Sequence, residues 1–233
     1  MEADLQPITK LTRIEIDRSN PTYLDPVNQQ SFDDAWKDQC AKNPKCFNGP
    51  ILAFRRYFPN TGVIAARADQ YKFHAMHTFN HCVELLSVTA CIERPGPNGT
   101  LYLLGKRSMT TMHYGGRWEF GPSGGIVPPE NSTTLTPIEI IQSLAEEVRE
   151  EAGIKIDPNY CVPRSLVHDP FVESADIHFG VVLTDDAPIN TNWEYDDTRW
   201  MTLDELIEWC DDKPNEIIPS TIAHARFLHQ THD

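Results

Sequence analysis

Apolar residues recur at helical spacing between Thr136 and Ile154. Ile140, Ile141, Leu144, Ala145, Val148 and Ala152 fall on one face of a helix read at 3.6 residues per turn. Thr136 is placed to cap this helix, Pro137 occupies its first position, and Glu139 completes a T-x-x-E capping box. Gly153 stands where a left-handed residue ends a helix. Elsewhere the period shortens to two. Residues 11–17 alternate, and the segments 51–58 and 62–68 read as a hairpin around the Pro59-Asn60-Thr61-Gly62 turn. Residues 85–93 and 100–106 read as a second hairpin, closed by the Pro/Gly-rich stretch 94–99. Residues 165–172 and 176–183 read as two more strands. Further helices are expected from Ser31 to just before Asn43-Pro44, from Leu203 to Cys210 with Thr202 as cap, and from Pro219 to His229. No internal repeat or low-complexity tract interrupts this order.

The polar face of the 136–154 helix is unusual. Glu147, Glu150 and Glu151 follow one another at i, i+3 and i+4, with Glu146 beside them. Like charges at this spacing destabilise a helix by a few tenths of a kcal/mol per pair, and the C-terminal end of the helix dipole also opposes anions. Two readings stand. The carboxylates form a solvated acidic face, or they hold Mg²⁺ or Mn²⁺, hard cations that take oxygen ligands.

The neighbouring residues bear on that choice. Trp118-Glu119-Phe120 runs into Gly124-Gly125, then a polar loop, then the helix. Residues 147–154 read E-V-R-E-E-A-G-I, which matches E-U-x-E-E-x-G-U, the second half of the box of the Nudix hydrolases, where U is a bulky aliphatic. Downstream, Glu194 to Leu206 is similar to the family's E-x-x-E/D-x-R-W-x-x-L-D-E-L segment. The chain departs from the box in two ways. Glu146 stands where the family has an arginine, and the loop from Gly125 to Glu146 is longer than the family's. Residues 31–78 loosely resemble the N-terminal region of a subgroup that hydrolyses UDP-sugars.

The resemblance implies an α/β (α+β) fold, the Nudix α/β/α sandwich with a mixed sheet. It divides the chain into an N-terminal β-rich extension, residues 1–84, and a Nudix domain, residues 85–233. It implies divalent-metal-dependent hydrolysis of the diphosphate linkage in a nucleoside diphosphate joined to a group X, with a nucleotide sugar as first expectation. Alternatives are a non-nucleotide diphosphate such as an isoprenoid, or a binding sensor that has lost catalysis. The implied metal ligands are Glu147, Glu150 and Glu151, with the carbonyl of Gly125. A box glutamate, Glu194 or Asp197 would be the base. Arg107 and Tyr114 would face substrate. Aromatics such as Tyr71, Phe73, Tyr114 and Trp118 would stack a base or sugar, or else pack the core. Arg149 or Arg117 would take over the absent arginine's ion pair. The resemblance leaves a homodimer open.

Charge and composition narrow the partners. The 233 residues, 40 % hydrophobic, suit one large domain or one domain with an extension. A formal net charge of −14 argues against nucleic acid and anionic membrane surfaces, and it makes metal ions necessary if a diphosphate is to bind. No apolar run approaches the roughly 20 residues of a transmembrane helix, and residues 1–10 have no signal-peptide pattern. Six scattered cysteines without C-x-x-C suit reduced thiols, so a cytoplasmic protein is expected. His74, His77 and His81, with Cys82 adjacent, have spacing that suits zinc or the polar lining of a cleft, and no fourth ligand is evident locally.

Overall fold

A computed structural model describes residues 2–19, 21–22, 26–42, 46–76, 83–97, 99–184 and 188–231. The group read as zinc ligands or as a polar cleft lining falls partly outside them: His77, His81 and Cys82 are not described, while His74 is buried with Nδ1 3.1 Å from the carbonyl of Val83.

The longest buried run becomes the central strand, β5 (Leu85–Gly96). A strand buried on both faces needs a layer on each side, and its alternation divides two cores. Leu86, Val88, Ala90 and Ile92 point into the larger core, together with the apolar face of α3 (Pro137–Ala152). Cys91 points the other way, into a cluster with residues of α4 (Leu203–Asp212) and α5 (Pro219–Thr231). Helices therefore cover both faces of a mixed sheet, the α+β arrangement expected from the sequence.

The N-terminal part supplies β1 (Asp4–Pro7), β2 (Arg13–Asp17), β3 (Pro50–Phe58) and β4 (Val63–Gln70), with α1 (Pro26–Lys42) and the short α2 (Tyr71–Ala75). After β5 come β6 (Gly99–Arg107), β7 (Trp118–Phe120), β8 (Ser123–Gly125), β9 (Thr134–Leu135), β10 (Cys161–Asp169), β11 (Ser174–Val182) and β12 (Tyr195–Thr202). The described strands form one twelve-stranded sheet along β1-β10-β11-β5-β3-β4-β2-β9, with β6, β7, β8 and β12 branching off around β5 and β6. The β11–β5 and β2–β4 pairs are parallel and the rest antiparallel. The sheet runs across residue 85: β1 pairs with β10, and Ala53 of β3 pairs with Leu85. Ile14, Leu52 and Ile64 share the larger core with Ile140 and Leu144. No described helix is long and apolar enough to cross a membrane.

Some boundaries differ from the sequence expectation. α1 starts at Pro26 rather than Ser31. A proline fits the first helical position, and the Ser31 hydroxyl donates back to the carbonyl of Asn28 at 2.9 Å, inside the helix. β1 was not expected, since four residues show no alternation by themselves and only pairing with β10 makes them a strand. β10 runs from Cys161 to Asp169 rather than from Ser165 to Val172, stopping where Pro170 brings no N–H to the ladder.

Candidate active site

The expected capping of α3 is in place. The Glu139 carboxylate accepts from the Thr136 N–H at 2.7 Å and from its hydroxyl at 2.6 Å, and Gly153 ends the helix at φ 69°. The apolar face locks the helix against β5 and fixes which side chains face the adjacent cavity. This cavity holds about 500 Å³ and is lined by Glu147 and Glu151 of α3, Glu119 of β7, Arg107 at the end of β6, and Glu194 just before β12. Glu151 is 4 % exposed, and it accepts a hydrogen bond from the backbone N–H of Ser123. Glu147 and Glu151 lie one turn apart on α3, close enough that the charge of each acts on the other.

Both carboxyls are held well above the usual carboxylate range. For Glu147 burial is the first cause, followed by Glu150, Glu194 and Glu146. For Glu151 burial again comes first, followed by Glu194, Glu147 and Glu119. Glu194 thus acts on both from the opposite side. Its loop is pinned to the end of α3, where Asn190 and Asn192 donate backbone N–H bonds to the carbonyls of Ala152 and Glu151 at 2.8 and 3.1 Å.

Arg107 supplies the positive charge. Its Nη1 donates to Glu119 at 2.6 Å and its Nε to the carbonyl of His113 at 3.1 Å. Burial opposes the guanidinium's charge, but Glu119 and Tyr195 more than offset this and raise its pKa. The Tyr195 hydroxyl also donates to Glu119, at 2.9 Å. On the other wall the Tyr114 hydroxyl donates to Asp169 at 2.8 Å. Beside it, Asp176 accepts from Ser87 and Ser174, and burial pushes it up to about 6 against the pull of those bonds.

Of the residues expected at the site, Glu147, Glu151, Glu194, Gly125, Arg107 and Tyr114 line this one cavity. Glu150 does not line it. It is exposed and accepts from Arg149 at 2.8 Å. Trp118 is 6 % exposed and packs edge-on against Trp209 in the cluster under α4 and α5. Asp197 is exposed on β12. The two arginines considered for the ion pair are engaged elsewhere, Arg149 with Glu150 and Arg117 over the ring of Tyr114 at 5.3 Å. Arg107 bonds Glu119 instead, and also acts on Glu151. The sequence reading missed Glu119, Asp169 and Asp176. Glu119 stood in the quoted W-E-F strand, where a lone acid between two buried aromatics was a signal. The aspartates gave no local sign.

Carboxylate oxygens are the donors that Mg²⁺ and Mn²⁺ prefer. Glu147 and Glu151, with Glu194 acting on both, fit such a cation. Among the described residues no three carboxylate, imidazole or thiol groups are already gathered at metal-binding spacing.

Gly124 sets the position of this pair. A Cβ at residue 124 would come within 2.1 Å of the Glu147 carboxyl carbon. The clash is with the far end of a flexible side chain, so Glu147 would swing away at little cost to folding. Gly124→Ala is expected to lower any turnover at this site by about 10²-fold, the scale of a 1 Å misplacement at a reacting centre, with an unchanged thermal midpoint. Loss of stability with activity intact would contradict this placement.

No family model matches the chain, and no curated protein does. Solved structures do. A MutT protein from Methanosarcina mazei Go1 is 20 % identical, with 64 % of this chain and 95 % of that chain covered at a TM-score of 0.49. An Ap4A hydrolase from C. elegans, solved as a binary complex, is 15 % identical, with 64 % and 99 % covered at 0.43. The NUDIX domain of Shewanella oneidensis NrtR, solved with ADP ribose, is 15 % identical, with 64 % and 86 % covered at 0.46. Likeness at this level does not carry activity, which rests on the chain's own residues.

Proposed function

We propose that the chain is a Nudix-type pyrophosphohydrolase that cleaves the diphosphate linkage of a nucleoside diphosphate joined to a group X, with a nucleotide sugar as the leading substrate. One observation carries the reading: Glu147 and Glu151, one turn apart on α3, line a single cavity with Glu119, Glu194 and Arg107. A purely solvated acidic face would turn these groups outward, as Glu150 is turned. A bound divalent cation would offset the charge of the diphosphate and of the carboxylates that hold it. Glu147 and Glu151 would hold that cation.

The remaining steps belong to the chain's own groups. Arg107 holds Glu119, and through it Tyr195, at the floor of the cavity. Glu194 is the assigned base, a carboxylate on a pinned loop facing the α3 pair. Its oxygen takes a proton from water, the water oxygen bonds one phosphorus, and the bridging P–O bond breaks. The leaving phosphate keeps the electron pair. The products are a nucleoside monophosphate and phospho-X.

The test is hydrolysis of UDP-, CDP-, GDP- and ADP-sugars, dinucleotides and prenyl diphosphates. Reactions would contain Mg²⁺ or Mn²⁺, and a coupled phosphatase would reveal the monophosphates. Turnover of a nucleotide class that EDTA abolishes is expected. Turnover of prenyl diphosphates alone would replace the nucleotide reading. Nucleotide binding without turnover would make the chain a sensor.

A further inference from the structure

The cavity wall away from α3 carries its own charge pattern. Among the described residues six carboxylates line the cavity: Glu119, Glu147, Glu151, Asp169, Asp176 and Glu194. Arg107 is the only arginine or lysine among the described lining residues, and its guanidinium is bound to Glu119. In the proposed reading the α3 pair would hold a cation for the diphosphate. Asp169 and Asp176 sit on β10 and β11 and take part in no step described above. Their partners are hydroxyls and one backbone N–H: Tyr114 and the N–H of Phe171 for Asp169, Ser87 and Ser174 for Asp176. No basic side chain hydrogen-bonds to either aspartate; His168, bonded to Glu84, acts on Asp176 through its charge alone, and both aspartates line the cavity.

The mouth has a second pattern. Phe47 is 75 % exposed, Val127 59 % and Trp193 45 %, and all three line the cavity. Exposed large apolar residues gathered at one opening mark a binding surface, and aromatic faces there suit the flat face of a ring.

Resting on the proposed diphosphatase reading, we propose that X carries no negative charge and lays a ring against Trp193 and Phe47, while Asp169 and Asp176 reject X groups that bear a further anion. Like charges brought together at a binding surface disfavour the wrong partner. The discrimination belongs to substrate choice, and the aspartates are specificity residues that take no part in bond breaking.

The test compares two substrates that differ by one carboxylate, UDP-glucose and UDP-glucuronate, with methyl-UDP as a ringless neutral control. Wild-type enzyme with Mg²⁺ is expected to favour the glucose ester over the glucuronate by about tenfold or more in kcat/KM. Asp169→Asn should narrow that gap severalfold. Trp193→Ala should raise KM for the glucose ester severalfold, and by more than it raises KM for methyl-UDP. Equal kcat/KM for the two sugars in wild type would overturn the charge selection. A Trp193→Ala effect as large on methyl-UDP would overturn the ring subsite. A folded Asp169→Asn variant with the gap unchanged would remove Asp169 from it. No Mg²⁺-dependent cleavage of any of the three esters would count against the diphosphatase reading itself, a failure distinct from equal turnover of them all.

Discussion

Glu147→Gln is expected to lower metal-dependent turnover by about 10²–10⁴, the range for losing a charged group that acts in the transition state. The substitution keeps the side chain's size and its place over Gly124 but removes the negative charge. Its effect on stability should have the opposite sign. Glu147 is crowded by Glu146, Glu150, Glu151 and Glu194, so in EDTA the variant should unfold at the same temperature as wild type or higher. Sites that hold charges together for function commonly give up stability to do so. Mg²⁺ should raise the wild-type midpoint, since a ligand that binds the folded state stabilises it, and should raise the variant's less. Wild-type turnover in Glu147→Gln would remove this residue from the site.

The elements on which this argument stands were legible because their signals are local. The 136–154 helix showed its cap, its first-position proline, its apolar face and its terminal glycine within one stretch, and each is where the spacing put it. The same holds for the Thr202 cap of α4, whose Oγ1 accepts the N–H of Glu205 at 3.3 Å. What the sequence hid is long-range. Nothing near Asp169 or Asp176 shows that β10 and β11 carry them to the cavity that α3 faces. Nothing near Trp118 shows that Trp209 will cover it, so its aromatic ring was open to either role. The carboxylate spacing on α3 grouped Glu147, Glu150 and Glu151, but packing of the apolar face against β5, rather than the acidic residues, decides which of them face inward.

Arg107→Met should cost about 3–5 kcal/mol, the scale for breaking a buried ion pair by removing one partner. For a chain of this size that is a fall in Tm on the order of 10 °C. The Arg107 side chain is 20 % exposed and that of Glu119 only 3 %. Methionine fills much of the volume but leaves the Glu119 carboxylate buried beside Glu151, with the Tyr195 hydroxyl as its remaining bond. Most of the expected loss is therefore the cost of a stranded charge rather than the intrinsic worth of the pair. This account makes a sharper demand. Adding Glu119→Gln to Arg107→Met removes the stranded charge while keeping a group able to accept from Tyr195, so the double variant should recover a substantial part of the lost stability. A double variant no more stable than Arg107→Met would mean that Arg107 stabilises through packing and its bond to the His113 carbonyl. The floor of the cavity would then be held by shape rather than by charge.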